Sequence, residues 1–411
     1  MHTELTTYLD EQLPNFLDIL RRMVAINSYT GNPEGVNRLA DFTAEIFAPL
    51  GFQARRVQAE NPDYGKHLIL TRPGSSKKKI GMISHLDTVF PPDEEIANDF
   101  CWHESRDRLY GPGTNDIKGG TVMMLMVLEA LQKFAPNEFD TITWVLLFNA
   151  AEERLSPDFG GLCQKELPSD TLAALVFEAG VRTKTGFQLV TARKGRATYK
   201  VDVEGKASHA GSSHPEGANA IVQMAHTVQQ IAALTDYAQD LTFNVGAISG
   251  GTVVNRVPHQ AQATVEMRAF SKEVFNTGVQ NILGLQHQTQ VSNHNGSYHC
   301  SVAIQLSEQS APWPQNAGTE MLLAVWQAAG DDLGIPVERE ARGGLSDGNA
   351  IWHAMPTIDG LGPYGANAHC SERSPDGSKD QEFANKSSFV PKALLNSIAI
   401  LKLIQAENSS K

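Results

Sequence analysis

Long apolar runs are missing from this 411-residue sequence. The longest stop at about eight residues, far below the roughly 20 that a membrane-spanning helix needs. An excess of positive charge is missing too. Lys plus Arg number 34 against 46 Asp plus Glu, a formal charge of −12, so neither nucleic acid nor an anionic membrane is attracted to the chain as a whole. Cysteine is scarce: Cys101, Cys163, Cys300 and Cys370 are widely scattered and form no CxxC pair. In so long a chain this argues against a disulfide framework and points to a reducing, cytoplasmic compartment. The N-terminal MHTELTTYLDEQLPNFLDILRRM lacks the basic-then-apolar order of a signal peptide and reads as an amphipathic helix; a leader cleaved earlier would leave no trace in it. The glycine-rich GPGTND has neither the GxGxxG spacing nor the following acid of a dinucleotide loop.

What is present is enough apolar residue, 41%, to bury a sizeable core, in a chain long enough for two domains. The first half alternates strand-like and helix-like segments. TITWVLLFNA and TLAALVFEAG are continuous apolar runs, as expected of strands buried on both faces in a largely parallel sheet. Near Lys194 the pattern changes to period-2 alternation in ATYKVDVEG, LTFNVGAIS and AQATVEMRAF, with helical segments between. A β-α-β-β-α-β order follows, which predicts a small ferredoxin-like α+β domain over 195–309, inserted into an α/β domain made of 1–194 and 310–411. The C-terminal ENSSK is expected to fray.

Four apolar strands each lead to groups that bind metals. IGMIS runs into His85 and, two residues on, Asp87; TITWVLLFNAA into Glu152 and Glu153; TLAALVF into Glu178; and PTIDG, through a glycine-containing loop, to His369. Ligands of open α/β sheets collect beyond the carboxyl ends of the strands, so these groups are expected to converge. Asp116 lies in the glycine-rich loop before a strongly apolar helix. Taken singly, an HxD triplet or a Glu pair is unremarkable; their placement as a set carries the inference. Imidazole nitrogen and carboxylate oxygen suit zinc, and also cobalt or manganese. Two divalent ions need a shared anion, a role Asp116 can fill, with His85 and Glu178 on one ion and His369 and Glu153 on the other. Such a pair activates water and polarises a carbonyl. Glu152, left off the metals, is the natural general base. Asp87 is placed to fix the His85 tautomer by a hydrogen bond.

SHLDT, GPGTNDIKGG, the AEE of NAAEERLS, FEAG and GANAHCSE resemble, in order and spacing, the M20 family of metallopeptidases, and within it the glutamate carboxypeptidase branch. The resemblance spans about His85 to His369. It implies the ligand and base assignments above, and a homodimer built on the inserted domain. It also gives roles to three further residues. His209 in GKASHAG resembles a histidine that reaches across the dimer to the oxyanion. Asn255 in GGTVVNRVP and Arg268 in VEMRAF match positions that contact a substrate carboxylate. GGLSDGN at 343–349 resembles a substrate-side loop, and Lys194 is a further basic candidate. RLSPDFG departs from the glycine-serine continuation of many relatives, while Glu178 matches the carboxypeptidase and deacylase side of the family.

The expected activity is therefore cleavage of an amide bond in a small peptide or N-acyl amino acid with a free carboxylate, foremost a C-terminal glutamate. The alternative within the class is an N-acyl-amino-acid deacylase of the aminoacylase or acetylornithine deacetylase kind. The alternative outside it is a catalytically silent binding protein of the same fold, against which the intact Glu152 and ligand set stand.

Overall fold

The computed structural model describes residues 2–409; the last two residues of the ENSSK tail lie outside it. Two compact units result. The first comprises Met1–Thr191, Gln315–Ala341 and Ser346–Lys411, the second Ala192–Pro314 and Arg342–Leu345.

The first unit is built on a six-stranded sheet in the order Gln53–Gln58, Lys66–Arg72, Thr143–Asn149, Lys79–His85, Ala173–Val176, Thr357–Ile358. The last four are mutually parallel, Lys66–Arg72 joins them antiparallel, and Gln53–Gln58 at the edge pairs antiparallel with Lys66–Arg72. Beyond the exposed edge strand Gln53–Gln58 the sheet is buried on both sides, and successive residues along its central strands serve different cores. Met82, Trp144, Leu146 and Phe148 point into a large cluster shared with the helices His2–Val24, Lys118–Phe134 and Phe389–Ser409. Their neighbours Ile83, Val145 and Leu147 face a smaller cluster closed by Phe159 and Cys163 of the helix Phe159–Glu166 and by Ile351 and Met355. That two-sided burial explains the uninterrupted apolar runs.

The helix Lys118–Phe134 starts inside the glycine stretch, three residues before the apolar run at Thr121 suggests. The glycines let it do so. A Cβ on Gly120 would sit 2.0 Å from the Phe177 carbonyl oxygen, and one on Gly119 2.3 Å from that of Thr114, so only glycine admits this approach to the strand end. The helical run Lys386–Glu407 is apolar and long enough to cross a membrane, yet 83% of its most apolar window is buried inside this core. All four cysteines are free thiols.

The second unit is a four-stranded antiparallel sheet in the order Thr242–Gly250, Gln260–Ala269, Gly195–Glu204, Ser301–Ser310. The helices Ala220–Ala232 and Lys272–Leu283 supply Met224, Ile231, Phe275 and Ile282 to its core, against Tyr199, Val201, Val265 and Met267. Burial alternates along Gly195–Glu204, one face packed and one wet, as the period-2 pattern requires. As it packs, this unit extends a few residues beyond the 195–309 span at each end and takes in Arg342–Leu345.

Leu128 is fully buried where the central helix meets its neighbours. Leu128→Ala is expected to cost about 2–5 kcal/mol in denaturant unfolding. A loss below about 1 kcal/mol would be out of line with any well-packed interior site.

Candidate metal centre

The parallel strands end together, and the groups following their ends gather at that edge. His85 closes its strand and is 2% exposed. Its Nδ1 donates to the backbone carbonyl of Asp87 at 3.0 Å, which fixes the ring. Its Nε2 then faces Asp116 Oδ1 at 3.0 Å and Glu178 Oε1 at 3.8 Å. On the other side His369 Nε2 lies 3.4 Å from Asp116 Oδ2 and 3.2 Å from Glu153 Oε2. Asp116 thus offers one oxygen to each imidazole. Ligand atoms of His85, Asp116 and Glu153 fall within 4.8 Å of one another.

A small antiparallel sheet explains how Asp116 and His369 meet. Its strand Phe383–Asn385 pairs with both Arg108–Tyr110 and Gly365–Ala366. The loop holding Asp116 leaves Arg108–Tyr110, and the loop holding His369 joins Gly365–Ala366 to Phe383–Asn385. Just before that strand, buried Glu382 accepts the N–H groups of Asn115 (2.9 Å) and Asp116 (3.1 Å) on Oε1. Burial and the nearby Asp116 charge push its pKa up to about 8.

The Asp87 carboxylate does something the HxD spacing does not announce. Oδ1 accepts the backbone N–H of Glu152 at 3.0 Å and Oδ2 that of Glu153 at 3.2 Å, while Thr30 Oγ donates to Oδ2 at 2.7 Å. Its hydrogen bond to the His85 ring comes from the carbonyl, with the carboxylate 3.4 Å away.

The electrostatics fit cations. Burial favours protonated Asp116, but hydrogen bonds from His369 and His85 hold its pKa well below the usual carboxylate range. The His369 pKa is raised to about 11 by its hydrogen bonds to Asp116 and Glu153. Burial would lower His85, and bonds to Asp116 and Asp87 together with the Glu178 charge outweigh it, leaving the pKa well above the ordinary imidazole value. Glu152 goes the other way: burial first, then the charges of Glu178, Asp347 and Glu153, push its pKa well above normal, against the pull of His85. Buried Glu153 Oε1 has no hydrogen-bond partner. A set of two imidazoles and three carboxylates, with an unsatisfied buried oxygen and no sulfur, is chemically a divalent-cation site.

Asp347 of GGLSDGN is a member the motif reading did not single out. Its Oδ1 accepts Asn149 Nδ2 at 2.8 Å, at the end of the strand leading to Glu152, and burial raises its pKa to about 7. Ser346 starts the turn with a capping box and donates to Asp359 Oδ2 at 2.8 Å.

His209, Asn255 and Arg268 belong to the second unit. His209 is exposed; its Nδ1 accepts the N–H groups of Gly211 (3.0 Å) and Ser212 (3.1 Å). In its neutral form the ring therefore carries its proton on Nε2, available as a donor. Asn255 lies beside it, its carbonyl accepting Ala210 N–H at 2.9 Å. The Arg268 fork is already engaged: Nε and NH2 donate to Glu266 (2.7 and 3.1 Å), and NH1 to the Gly343 carbonyl (2.6 Å). Lys194 donates to the Asp240 carbonyl at 2.8 Å.

Asp87→Ala would strand three donors in a buried turn. We expect a loss of about 1–3 kcal/mol in denaturant unfolding of chelator-treated protein. Unchanged stability would mean that the turn holds itself.

Residues 191–283 match the family model described as a peptidase dimerisation domain. The chain is 28% identical over 364 residues to carboxypeptidase G2 of Pseudomonas sp. (strain RS-16), covering 88% of this chain and 84% of that one. It is 26% identical over 349 residues to succinyl-diaminopimelate desuccinylase of Paracidovorax citrulli, covering 80% and 85%. An M20 family metallo-carboxypeptidase of Sulfolobus solfataricus superposes with a TM-score of 0.70 at 16% identity, over 95% of this chain and 99% of that one, a likeness of fold. The chain thus carries a peptidase dimerisation domain at residues 191–283 and, over most of its length, is similar to a carboxypeptidase and a desuccinylase, in the fold of an M20 metallo-carboxypeptidase.

Proposed function

We propose that the chain is a two-metal carboxypeptidase that releases a C-terminal amino acid of the glutamate type from a small peptide or N-acyl substrate. The observation that carries this is Asp116, whose two oxygens face His85 and His369 separately. His85 and Glu178 would hold one ion, Glu153 and His369 the other, with Asp116 shared. When bound, such ions, zinc first, polarise the scissile carbonyl and make water acidic enough to be a nucleophile.

The protein groups do the rest. Glu152 accepts the proton of the attacking water and returns it to the departing amine, a task suited to a carboxyl whose burial favours proton uptake. His209, with its proton on Nε2, donates to the tetrahedral oxyanion when supplied by a second copy of the chain. Arg268 and Asn255 receive the free carboxylate. Three of the five guanidinium N–H groups of Arg268 are in use, so a substrate takes the remaining two or displaces Glu266. The 28% identity to carboxypeptidase G2 supports a carboxypeptidase, and the 26% identity to a desuccinylase supports a deacylase as the second reading.

Protein stripped by chelation and reloaded with Zn²⁺ is expected to hydrolyse peptidyl- and acyl-glutamates faster than other amino-acid conjugates, and not their carboxyl-blocked esters. Glu152→Gln should lower kcat by at least about 100-fold, the lower range for a lost general acid–base group, while still binding metal. Preference for short acyl groups on other amino acids would move the assignment to the deacylases. No turnover with metal bound would sink it.

The second unit exposes Val254, Val253 and Ile248 at 101%, 57% and 58%. We read these as the contact between copies. Sedimentation should show a homodimer that Val254→Asp with Ile248→Asp dissociates, with activity falling in step. A fully active monomer would contradict the role given to His209.

A further inference from the structure

The segment RLSPDFG, which departs from the usual continuation after the Glu pair, meets a buried histidine that the metal chemistry does not use. His67 lies in the strand Lys66–Arg72 and is 0% exposed. Its Nδ1 accepts the backbone N–H of Ala150 at 3.1 Å, and its Nε2 lies 3.2 Å from Asp158 Oδ2. Asp158 is held in turn: Oδ2 accepts Glu60 N–H and Oδ1 accepts the Ser156 hydroxyl, both at 2.8 Å. Ser156 closes the circuit by donating its own N–H to the Ala151 carbonyl at 3.1 Å. Ala150, His67, Asp158, Ser156 and Ala151 thus form a ring of hydrogen bonds, and the residues enclosed between Ala151 and Ser156 begin with Glu152 and Glu153.

We infer that the His67–Asp158 pair is the positioning device of this turn, setting where Glu152 and Glu153 stand; the inference rests on the hydrolase reading above. The strand has ended at Asn149 and only a single 3-10 turn, Glu152–Arg154, follows, so little regular backbone pairing fixes the local path. Asp87 holds the N–H groups of Glu152 and Glu153 from one side. His67 holds that of Ala150 from the other. The ring can accept on Nδ1 only when neutral with its proton on Nε2, and Asp158 selects that tautomer by accepting the proton. Burial lowers the pKa of His67 and so keeps the ring neutral, in agreement with this geometry. His67 touches no proposed ligand; it acts through the Ala150 backbone, where a displacement of about 1 Å is enough to cost 100-fold in rate.

The test compares His67→Phe, which keeps the ring volume beside Phe159 and loses both hydrogen bonds, with His67→Asn, whose carbonyl can still accept from Ala150 N–H. On the best panel substrate, His67→Phe is expected to lower kcat about 10- to 100-fold with KM changed by less than about threefold, and His67→Asn to recover most of the loss. Cobalt affinity against a competing chelator should fall about 10- to 100-fold in His67→Phe, because Glu153 shifts with the turn. Asp158→Ala, at a partly exposed position, should reproduce the kcat effect and serves if His67→Phe does not fold. Unchanged kcat in a folded His67→Phe, or equal losses in the Phe and Asn variants, would overturn the inference. If the wild type hydrolyses nothing, it is the hydrolase reading that fails. Metal affinity then decides alone, and an unaltered value overturns the positioning role.

Discussion

The site depends on one carboxylate serving two imidazoles. Asp116 meets His85 with one oxygen and His369 with the other, and every neighbouring feature serves to keep it there. Glu382 grips its backbone, Gly119 and Gly120 let the following helix approach the sheet, and the small sheet of Phe383–Asn385 brings the two loops together. Five acids (Asp87, Asp116, Glu152, Glu153, Glu178) surround two imidazoles, a concentration of negative charge that costs free energy unless cations share it. The raised pKa values of His85 and His369 express the same demand, with protons as the positive charge.

His85, Glu153 and Glu178 were legible as proposed ligands because they follow apolar strands whose parallel ends share one edge, whereas Asp116 and His369 reach that edge from loops. The two-domain plan was legible for a similar reason: apolar runs buried on two faces read differently from alternating strands buried on one. Residues that act by holding backbone left no such mark. Glu382 sits in an unpatterned polar loop, Asp347 lies in a motif read for its amides, and His67 looks like any strand residue before HLILTR folds against Ala150. Asp87 was legible as a supporting residue through its spacing from His85. That its carboxylate holds the Glu pair depends on a register between strand ends that no local pattern encodes.

In the second unit the residues proposed to meet substrate are held by local hydrogen bonds, His209 on an exposed turn and Arg268 in a strand. Two backbone N–H groups on Nδ1 place the proton of the neutral His209 ring on Nε2, and Glu266 accepts from the Arg268 fork. Arg268 also donates to the Gly343 carbonyl, and Arg193 to those of Gly344 and Leu345 at 3.0 and 2.9 Å. Asp347, two residues on from Leu345, is tied to Asn149 beside the Glu pair.

Anomalous diffraction from a zinc-loaded crystal reads out whether Asp116 is shared between two ions. Two peaks are expected, roughly 3.5–4 Å apart, flanking Asp116. One should lie on His85 and Glu178 and the other on Glu153 and His369. A single peak, or a pair that leaves Asp116 uncoordinated, would contradict that sharing.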